Sequence, residues 1–361
     1  MDRIDRIDRL TGVLLGTAVG DALGLPREGL SGRRAARLFG DGPLRHRFLL
    51  GRGMISDDTE HACMTAQALL AAPDDQARFA RSLAFRLQGW LLALPPAVGW
   101  GTLRAILRLW IGFSPARSGV SSAGNGAAMR APILGACLAF TPDRIEPMMR
   151  ASSRLTHRDP RAEEGALVLA LAAAHAAVRA PGEIAPEALF AELRARPFRD
   201  DLRRALDDTE DALARGASAA DLAAALGLED GVSGFILETV PAALFCWLKS
   251  PGDVRGAVSE VIRMGGDADS TGAIVGGLAG AAAGARAIPD EWLSGILDWP
   301  RSVAWMRRLG ERLAEHFPEA PVAEPALAGP LPLFWPAIPL RNLVLLVVAL
   351  GHGFRRMLPP Y

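Results

Sequence analysis

Two short stretches of the chain gather acids and hydroxyls at spacings suited to chemistry. One is Ser56-Asp57-Asp58-Thr59, which follows Gly53-Met54-Ile55 and opens a run of helical texture. The other is Gly265-Gly266-Asp267-Ala268-Asp269-Ser270-Thr271, which opens a second such run. Together they offer an all-oxygen donor set of the kind that hard cations such as Mg²⁺ and Mn²⁺ take. In the second stretch the Asp-x-Asp spacing can aim two carboxylates at one point from an irregular turn. The glycines before it permit backbone angles that other residues resist. Asp, Ser and Thr are also the preferred helix N-caps, so either stretch alone can be read as a cap. One cap needs only one acid, however, and each stretch carries two.

A third polar stretch, Ser121-Ser122-Ala123-Gly124-Asn125-Gly126, taken alone is a turn. Thr156-His157 stands just before Asp159-Pro160, where an N-cap aspartate is followed by proline at the first helical position. His157 by itself reads as a loop histidine bonded to backbone. His61, one turn beyond Asp58, reads as a helix-surface or packing residue rather than a ligand, and His46 and His352 have no constellation around them. No Ser-His-Asp or Cys-His arrangement competes as a nucleophile.

The elements that must position these groups are helices. Alanine and leucine dominate, β-branched runs are few, and no alternating strand pattern stands out. Helices are expected over 9–24, 57–72, 76–93, 101–111, 126–140, 160–179, 186–215, 218–226, 233–249, 252–264, 270–286 and 300–316, with Ser270 or Thr271 as the cap of the eleventh. Gly12, Gly16 and Gly20 recur every four residues, as do Gly272, Gly276, Gly280 and Gly284. Glycine costs a helix about 1 kcal/mol per position against alanine, so its repetition on one face points to close helix-to-helix approach. Both glycine helices adjoin an acidic cluster, and their packing could bring the clusters together. Small residues at this spacing also occur in membrane helices, but these segments carry little bulky apolar surface and are flanked by Asp21 and Asp269.

The chain has 361 residues, half of them hydrophobic and 22% charged, and its acids and bases balance at a formal net charge of zero. That composition fits a globular protein with a sizeable core and carries no global basic field for nucleic acid. Lys249 is the only lysine, so the basic side is almost entirely arginine. Cys63, Cys137 and Cys246 are an odd number, far apart in apolar surroundings, which fits a reducing compartment. The charged start lacks the apolar stretch of a signal peptide, and a cytoplasmic location is expected. No charge block or Ser/Gly linker divides the chain, so one domain is expected over 1–317. After it come a proline- and alanine-rich connector and an apolar tail, 318–361.

These motifs, taken in order, resemble the ADP-ribosylglycohydrolase family. The likeness rests on Gly16-Thr17-Ala18-Val19-Gly20-Asp21-Ala22-Leu23-Gly24, Ser56-Asp57-Asp58-Thr59 and Gly124-Asn125-Gly126-Ala127-Ala128-Met129-Arg130. It continues through Thr156-His157 to Gly265-Gly266-Asp267-Ala268-Asp269-Ser270-Thr271, and covers about residues 10 to 295. The resemblance implies an all-α, orthogonal multi-helix domain with a dinuclear metal cleft holding two divalent cations, Mg²⁺ or Mn²⁺. It implies Ser56, Asp57, Asp58, Asp267, Asp269 and Ser270 as ligands. Serine stands at 56 and 270 where threonine is frequent, and its hydroxyl can ligate equally well. Glu28 matches a family glutamate at the metals. Ser122, Gly124, Asn125 and Gly126 match an ADP-ribose-binding loop, where glycines let backbone N–H groups approach a diphosphate, and His157 is placed near the ribose or phosphates. Arg130 could face the phosphates or support the loop. Ala123 stands where some relatives carry an aromatic residue, so a stacking contact there is in doubt.

The resemblance further implies hydrolysis at ribose C1″ of an ADP-ribosylated protein or small molecule, with Glu28, Asp57 or Asp58 taking a proton from water. A rival reading is a catalytically weak ADP-ribose-binding or inhibitory protein that acts through partner contact. The tail lies outside the motifs. Its uninterrupted apolar stretch, Leu343 to Leu350, falls far short of the ~20 residues of a spanning helix. Docking on the body is expected first, and contact with a partner or membrane surface second. Trp90, Trp100 and Trp110 are expected in the core or at a cleft wall.

Overall fold

Glycine decides how the two central helices meet. In the computed structural model, which describes residues 3–319 and 329–359, helix α1 (Arg3–Gly24) runs antiparallel to the helix Ala268–Ala283. The seam pairs Gly12 with Gly280, Gly16 with Gly276, Gly20 with Gly272 and Gly24 with Ala268. A Cβ placed on Gly20 would lie 1.9 Å from the carbonyl oxygen of Gly272, and one on Gly276 would lie 2.0 Å from that of Gly16. No larger residue fits, because backbone faces backbone. From Leu10 onward α1 is buried all round, as is nearly all of α15, as expected of the centre of an all-helical core.

The other helices wrap this pair. They are α2 (Gly32–Phe39), α3 (Asp57–Ala71), α4 (Gln76–Leu92), α5 (Trp100–Trp110), α6 (Pro115–Ser118), α7 (Ala131–Cys137), α8 (Ile145–Arg154) and α9 (Pro160–Ala177). There follow α10 (Pro186–Arg194), α11 (Asp200–Ala214), α12 (Ala219–Leu226), α13 (Ile236–Leu248), α14 (Val254–Met264), α15 (the seam helix Ala268–Ala283), α16 (Asp290–Gly295), α17 (Val303–His316) and α18 (Ala337–Arg356). The all-α expectation holds. Asp159 caps α9, accepting from the Arg161 N–H at 3.0 Å, with Pro160 in the first turn.

Three expectations are corrected. The expected helix over 186–215 breaks into α10 and α11, because Pro197 stands between them and cannot donate within a helix. The run over 126–140 is a 3-10 segment, Asn125–Arg130, followed by the short α7. Neither Ser270 nor Thr271 caps α15. The helix starts at Ala268, Asp267 holds the cap position without a side-chain capping bond, and the Thr271 hydroxyl donates to the Asp267 carbonyl at 2.7 Å.

Where strands were not expected, a two-residue ribbon forms. Strand β1 (Leu30–Ser31) pairs antiparallel with β2 (Gly265–Gly266), Leu30 opposite Gly266. Gly265 and Gly266 hold φ of 79° and 81°, and a Cβ on Gly266 would meet the Val232 carbonyl oxygen at 2.1 Å. The ribbon therefore ties the segment after α1 to the turn before α15.

The tail differs most from expectation. Helix α18 has 20 residues and is long and apolar enough to cross a membrane by length and composition. It runs through Arg341 and His352 because both turn towards the body. Arg341 donates to Asp298 at 2.8 Å and to the Ile55 carbonyl, and Asn342 donates to the Ala93 carbonyl at 2.8 Å. Leu345 packs with Phe48 and Met54, and His352 stacks on Phe48 with centroids 5.1 Å apart. The connector residues 320–328 lie outside the described residues.

Candidate active site

The antiparallel seam brings the last turn of α1 against the first turn of α15, and α3 starts beside both. Asp21, fully buried in that last turn, accepts from the Ser56 N–H at 2.8 Å, from the Thr59 N–H at 3.2 Å and from the Thr59 hydroxyl. Asp21 thus does from a neighbouring helix much of what a cap would do for α3, and Asp57 and Asp58 are left free of that task. The helix N-terminus favours their negative charge.

The two acidic stretches meet at Asp58. Its Oδ2 accepts from the Ser56 hydroxyl at 3.3 Å and from the Ser270 hydroxyl at 3.1 Å. Its Oδ1 is buried without a hydrogen-bond partner. Asp269 is buried and accepts from the Ser270 N–H at 3.0 Å. The Asp267 N–H donates to the Val232 carbonyl at 2.7 Å, and its Oδ2 accepts from the Asn125 amide at 2.7 Å. The Gly29 N–H donates to the Gly266 carbonyl at 2.7 Å, which sets the exposed Glu28 beside Asp267.

Crowding of like charge shows in the protonation equilibria. Burial first, and then Asp21, Glu60 and Glu28, push the Asp57 carboxyl up to about 8. Burial raises Asp58 and Asp269 well above the ordinary aspartate range, with Asp57 next for Asp58 and Glu28 next for Asp269. Asp21 rises to about 6 by burial, against the hydrogen bonds it accepts from Thr59 and Ser56. Glu28 opens to solvent on one side, yet protein crowded on its other side raises its carboxyl, Asp267 raises it further, and Arg356 opposes both. Among the described residues, no three His, Cys, Asp or Glu side chains form a group that could hold a metal ion as they stand. The chemistry of the donors does suit one. The partnerless Asp58 Oδ1 is buried, and the mutual repulsion of the carboxylates is what a divalent cation relieves. The residues fit hard cations.

Behind the first acidic stretch lies a buried network of two acids and two arginines. Glu60 accepts from the Trp90 indole at 2.6 Å and pairs with Arg301, and Asp298 accepts from the Ile55 N–H at 3.2 Å and pairs with Arg341. Ile55 is thereby gripped at both its N–H and its carbonyl, one residue before Ser56.

The glycine-bearing loop closes another side. The Asn125 N–H donates to the Gly234 carbonyl at 2.8 Å, its side chain also reaches the Thr239 hydroxyl at 3.2 Å, and the Gly124 N–H donates to the Ser122 hydroxyl at 3.3 Å. His157 packs under the loop. A Cβ on Gly126 would lie 2.6 Å from its Cε1, and one on Gly101 3.2 Å from its Nε2. Its Nδ1 meets the Thr156 hydroxyl at 2.9 Å, and burial with nearby Arg130 lowers the imidazole to about 3. It is neutral at pH 7. Arg130 is fully buried and donates to the Thr156 hydroxyl at 2.7 Å and to the Ser152 carbonyl at 3.1 Å, so it supports the loop. His61 is buried edge-on to Trp90, a packing residue. Trp90 is core, whereas Trp100, 70% exposed beside Gly101, is not.

The structure therefore gathers Glu28, Ser56, Asp57, Asp58, Asp267, Asp269 and Ser270 at one meeting of helix ends. It joins Asn125 to them directly, with Gly124, Gly126, Ser122 and His157 alongside. Sequence reasoning passed over Asp21, Asp298 and Arg341. For Asp21 a signal existed, since an acid inside an otherwise apolar glycine helix has to find donors when buried.

Comparison with known proteins shows the family. The family model for ADP-ribosylglycohydrolase matches residues 2–322. An uncharacterized protein of Archaeoglobus fulgidus is 32% identical over 81% of this chain and 92% of its own length. The ADP-ribosyl-(dinitrogen reductase) glycohydrolase of Rhodospirillum rubrum is 30% identical over 80% of this chain and 90% of its own. A solved structure titled as an ADP-ribosylglycohydrolase-related protein complex superposes with a TM-score of 0.67 at 29% identity, covering 86% of this chain and 98% of that one.

Proposed function

Since the chain belongs to the ADP-ribosylglycohydrolase family, a family of hydrolases that remove ADP-ribose from acceptors, we propose that it does so with two divalent cations, Mg²⁺ or Mn²⁺, by cleavage at ribose C1″. The acceptor is a modified protein side chain or a small molecule. One observation carries the reading: two acidic stretches 212 positions apart meet through the hydrogen bond from Ser270 to Asp58.

Ser56, Asp57, Asp58, Asp267, Asp269 and Ser270 would hold the cations. When bound, these would neutralise the crowded carboxylates and polarise oxygen atoms of the ribose and of water. The residues of the chain do the rest. Breaking the C1″ bond builds oxocarbenium-like positive charge in the ribose ring, and the Glu28 carboxylate, outside the ligand set, is left to offset it. Glu28, at the exposed edge of the site and outside the proposed ligand set, accepts the proton of the attacking water. The loop from Ser122 to Gly126 offers backbone N–H groups to the diphosphate. Asn125, bonded to Asp267, links the diphosphate-binding side to the carboxylates. Neutral His157 supports the loop from below and adds no charge.

The test is release of free ADP-ribose, measured by mass spectrometry, from arginine-, serine- and small-molecule-linked substrates. Each is run with Mg²⁺, with Mn²⁺ and with chelator. Release that requires metal and is lost in Asp267→Asn is expected. No release from any substrate, with metal and ADP-ribose binding still measurable, overturns hydrolysis in favour of a binding or inhibitory protein.

A further inference from the structure

Helix α18 turns most of its large apolar side chains to water. A helix on the surface of a globular protein turns apolar residues inward and polar residues to water. In α18 Arg341, Asn342, His352 and Arg356 face the body, each with a hydrogen bond to it. The outward residues are Leu340, Leu343, Leu346, Val347, Leu350 and Phe354, with Leu343 57% and Val347 60% exposed. At 100° per residue these apolar positions, with Val344, sweep about 160° of the helix surface. That is nearly half the circumference, wider than the narrow seam of a coiled coil, and of the charged residues of α18 only Arg355 stands exposed at its margin.

The body adds exposed apolar residues next to the seat of α18. Three of the docking contacts have bare apolar neighbours in sequence. Leu94 lies beside Ala93, Leu297 and Trp299 flank Asp298, and Leu50 follows Phe48 and Leu49. Leu50 is 96% exposed and Leu94 79% exposed, and both hold a left-handed backbone, with φ of 49° and 53°. A branched side chain in that region is strained, and here the strained conformation turns the leucine out to solvent. Near the start of α18, Phe334 and Trp335 are exposed, and Trp335 also lines a cavity of about 700 Å³ whose rim carries Phe85, Leu92 and Trp110. From Gly329 to Pro359 there is no acid, and Arg355 stands exposed at the far end. An apolar helix face with exposed tryptophan near its start, no acid in its own segment and a terminal arginine matches a lipid surface.

We propose that α18 seats the protein on a lipid bilayer, lying in the plane of the interface with its polar side on the enzyme body. The helix does not span, because its docked residues run from Ala337 to Arg356. The family model ends at residue 322, so α18 lies beyond the region it matches, while the apolar residues of the body beside it lie within. The inference is independent of the hydrolase reading.

The test is flotation of the full chain with vesicles of phosphatidylcholine alone and of phosphatidylcholine with phosphatidylglycerol. Binding to both, stronger with the anionic lipid, is expected. Leu343→Glu/Val347→Glu/Leu350→Glu lowers the bound fraction by more than about tenfold without changing the far-ultraviolet circular dichroism. Should that variant misfold, the unmodified protein still decides, because brominated phosphatidylcholine quenches its tryptophan fluorescence if Trp299 and Trp335 meet the acyl region. Absence of both flotation and quenching overturns the proposal. So does light scattering of a dimer without vesicles that Val347→Glu returns to monomer, which would make the face an interface between two copies.

Discussion

Ser270, in the first turn of α15, donates its hydroxyl to the carboxylate of Asp58, in the first turn of α3, at 3.1 Å. The contact joins the two acidic stretches side chain to side chain. Ser270→Ala removes the donor from a buried carboxylate whose other oxygen is already partnerless. Metal affinity should fall about tenfold and stability by about 1 kcal/mol. Ser270→Thr keeps the hydroxyl and should titrate like the parent in calorimetry with Mn²⁺. Equal affinity in all three proteins would remove Ser270 from the site.

Asp21 holds the start of α3 by three donors and touches no expected ligand except through the Ser56 N–H. Asp21→Asn keeps the shape but replaces one accepting oxygen with an NH₂ group that faces N–H donors. The expected loss is 10- to 100-fold in metal affinity, about what outer partners of ligands contribute. The circular dichroism should be unchanged. A variant that binds Mn²⁺ normally would show that α3 positions its aspartates without Asp21.

Gly20→Ala sets intrinsic preference against space. Alanine is favoured in a helix by about 1 kcal/mol, but here its Cβ would sit 1.9 Å from the Gly272 carbonyl oxygen. Overpacking against backbone should win, with a net loss of about 3 kcal/mol or more in urea unfolding. Gly89, late in α4, has nothing within 4 Å of a Cβ, and Gly89→Ala should gain about 0.5–1 kcal/mol. Two losses, or two gains, would contradict the seam.

Arg341→Met strips the tail cation from Asp298, leaving a buried carboxylate with only the Ile55 N–H. Breaking a buried pair this way costs about 3–5 kcal/mol. Arg341→Met/Asp298→Asn should recover part of it, because no charge is then stranded. Thermal unfolding of the two variants reads the difference, and a double variant no better than the single one would deny the pair its role.

His61 is fully buried, and both of its ring nitrogens lack partners. Burial first, then Arg130, His157 and Arg301, hold its imidazole well below the usual range. The folded chain therefore keeps it neutral, while the unfolded chain protonates it near 6.5. Its contribution is fully present above about pH 6.5 and lost as pH falls, by up to about 1.4 kcal/mol per pH unit. His61→Phe, which keeps a ring against Trp90, should be about 2 kcal/mol more stable than the parent at pH 5 relative to their difference at pH 7.5. Denaturant titrations at the two pH values check this, and parallel pH dependence would count against it.

What sequence could reveal here followed from spacing. Glycines every fourth residue announce a seam, and paired aspartates at two helix starts announce more than capping. Other features depended on which way a side chain turns. Arg341 and His352 look like interruptions of an apolar stretch until both are seen to turn towards the body and bond to it. Asp21 reads as the flank of a glycine helix until the Ser56 and Thr59 N–H groups come to it from another helix. The division between α10 and α11 was open to reading at Pro197, but the apolar spacing on either side masked it. Leu50 and Leu94 carry no local sign of a left-handed backbone, since leucine does not favour one.

The glycine seam also sets a timetable. Helix α1 is made well before its partner α15, which ends at Ala283, about 260 residues later. At about 5–20 residues per second of synthesis, the glycine face of α1 waits on the order of tens of seconds for the helix it packs against. Until then Asp21, Asp57 and Asp58 have no Asp267, Asp269 or Ser270 to meet. A nascent chain cannot assemble the acidic centre early, and a ribosome that stalls before α15 releases a protein with half a site and an unpaired apolar helix for chaperones to recognise.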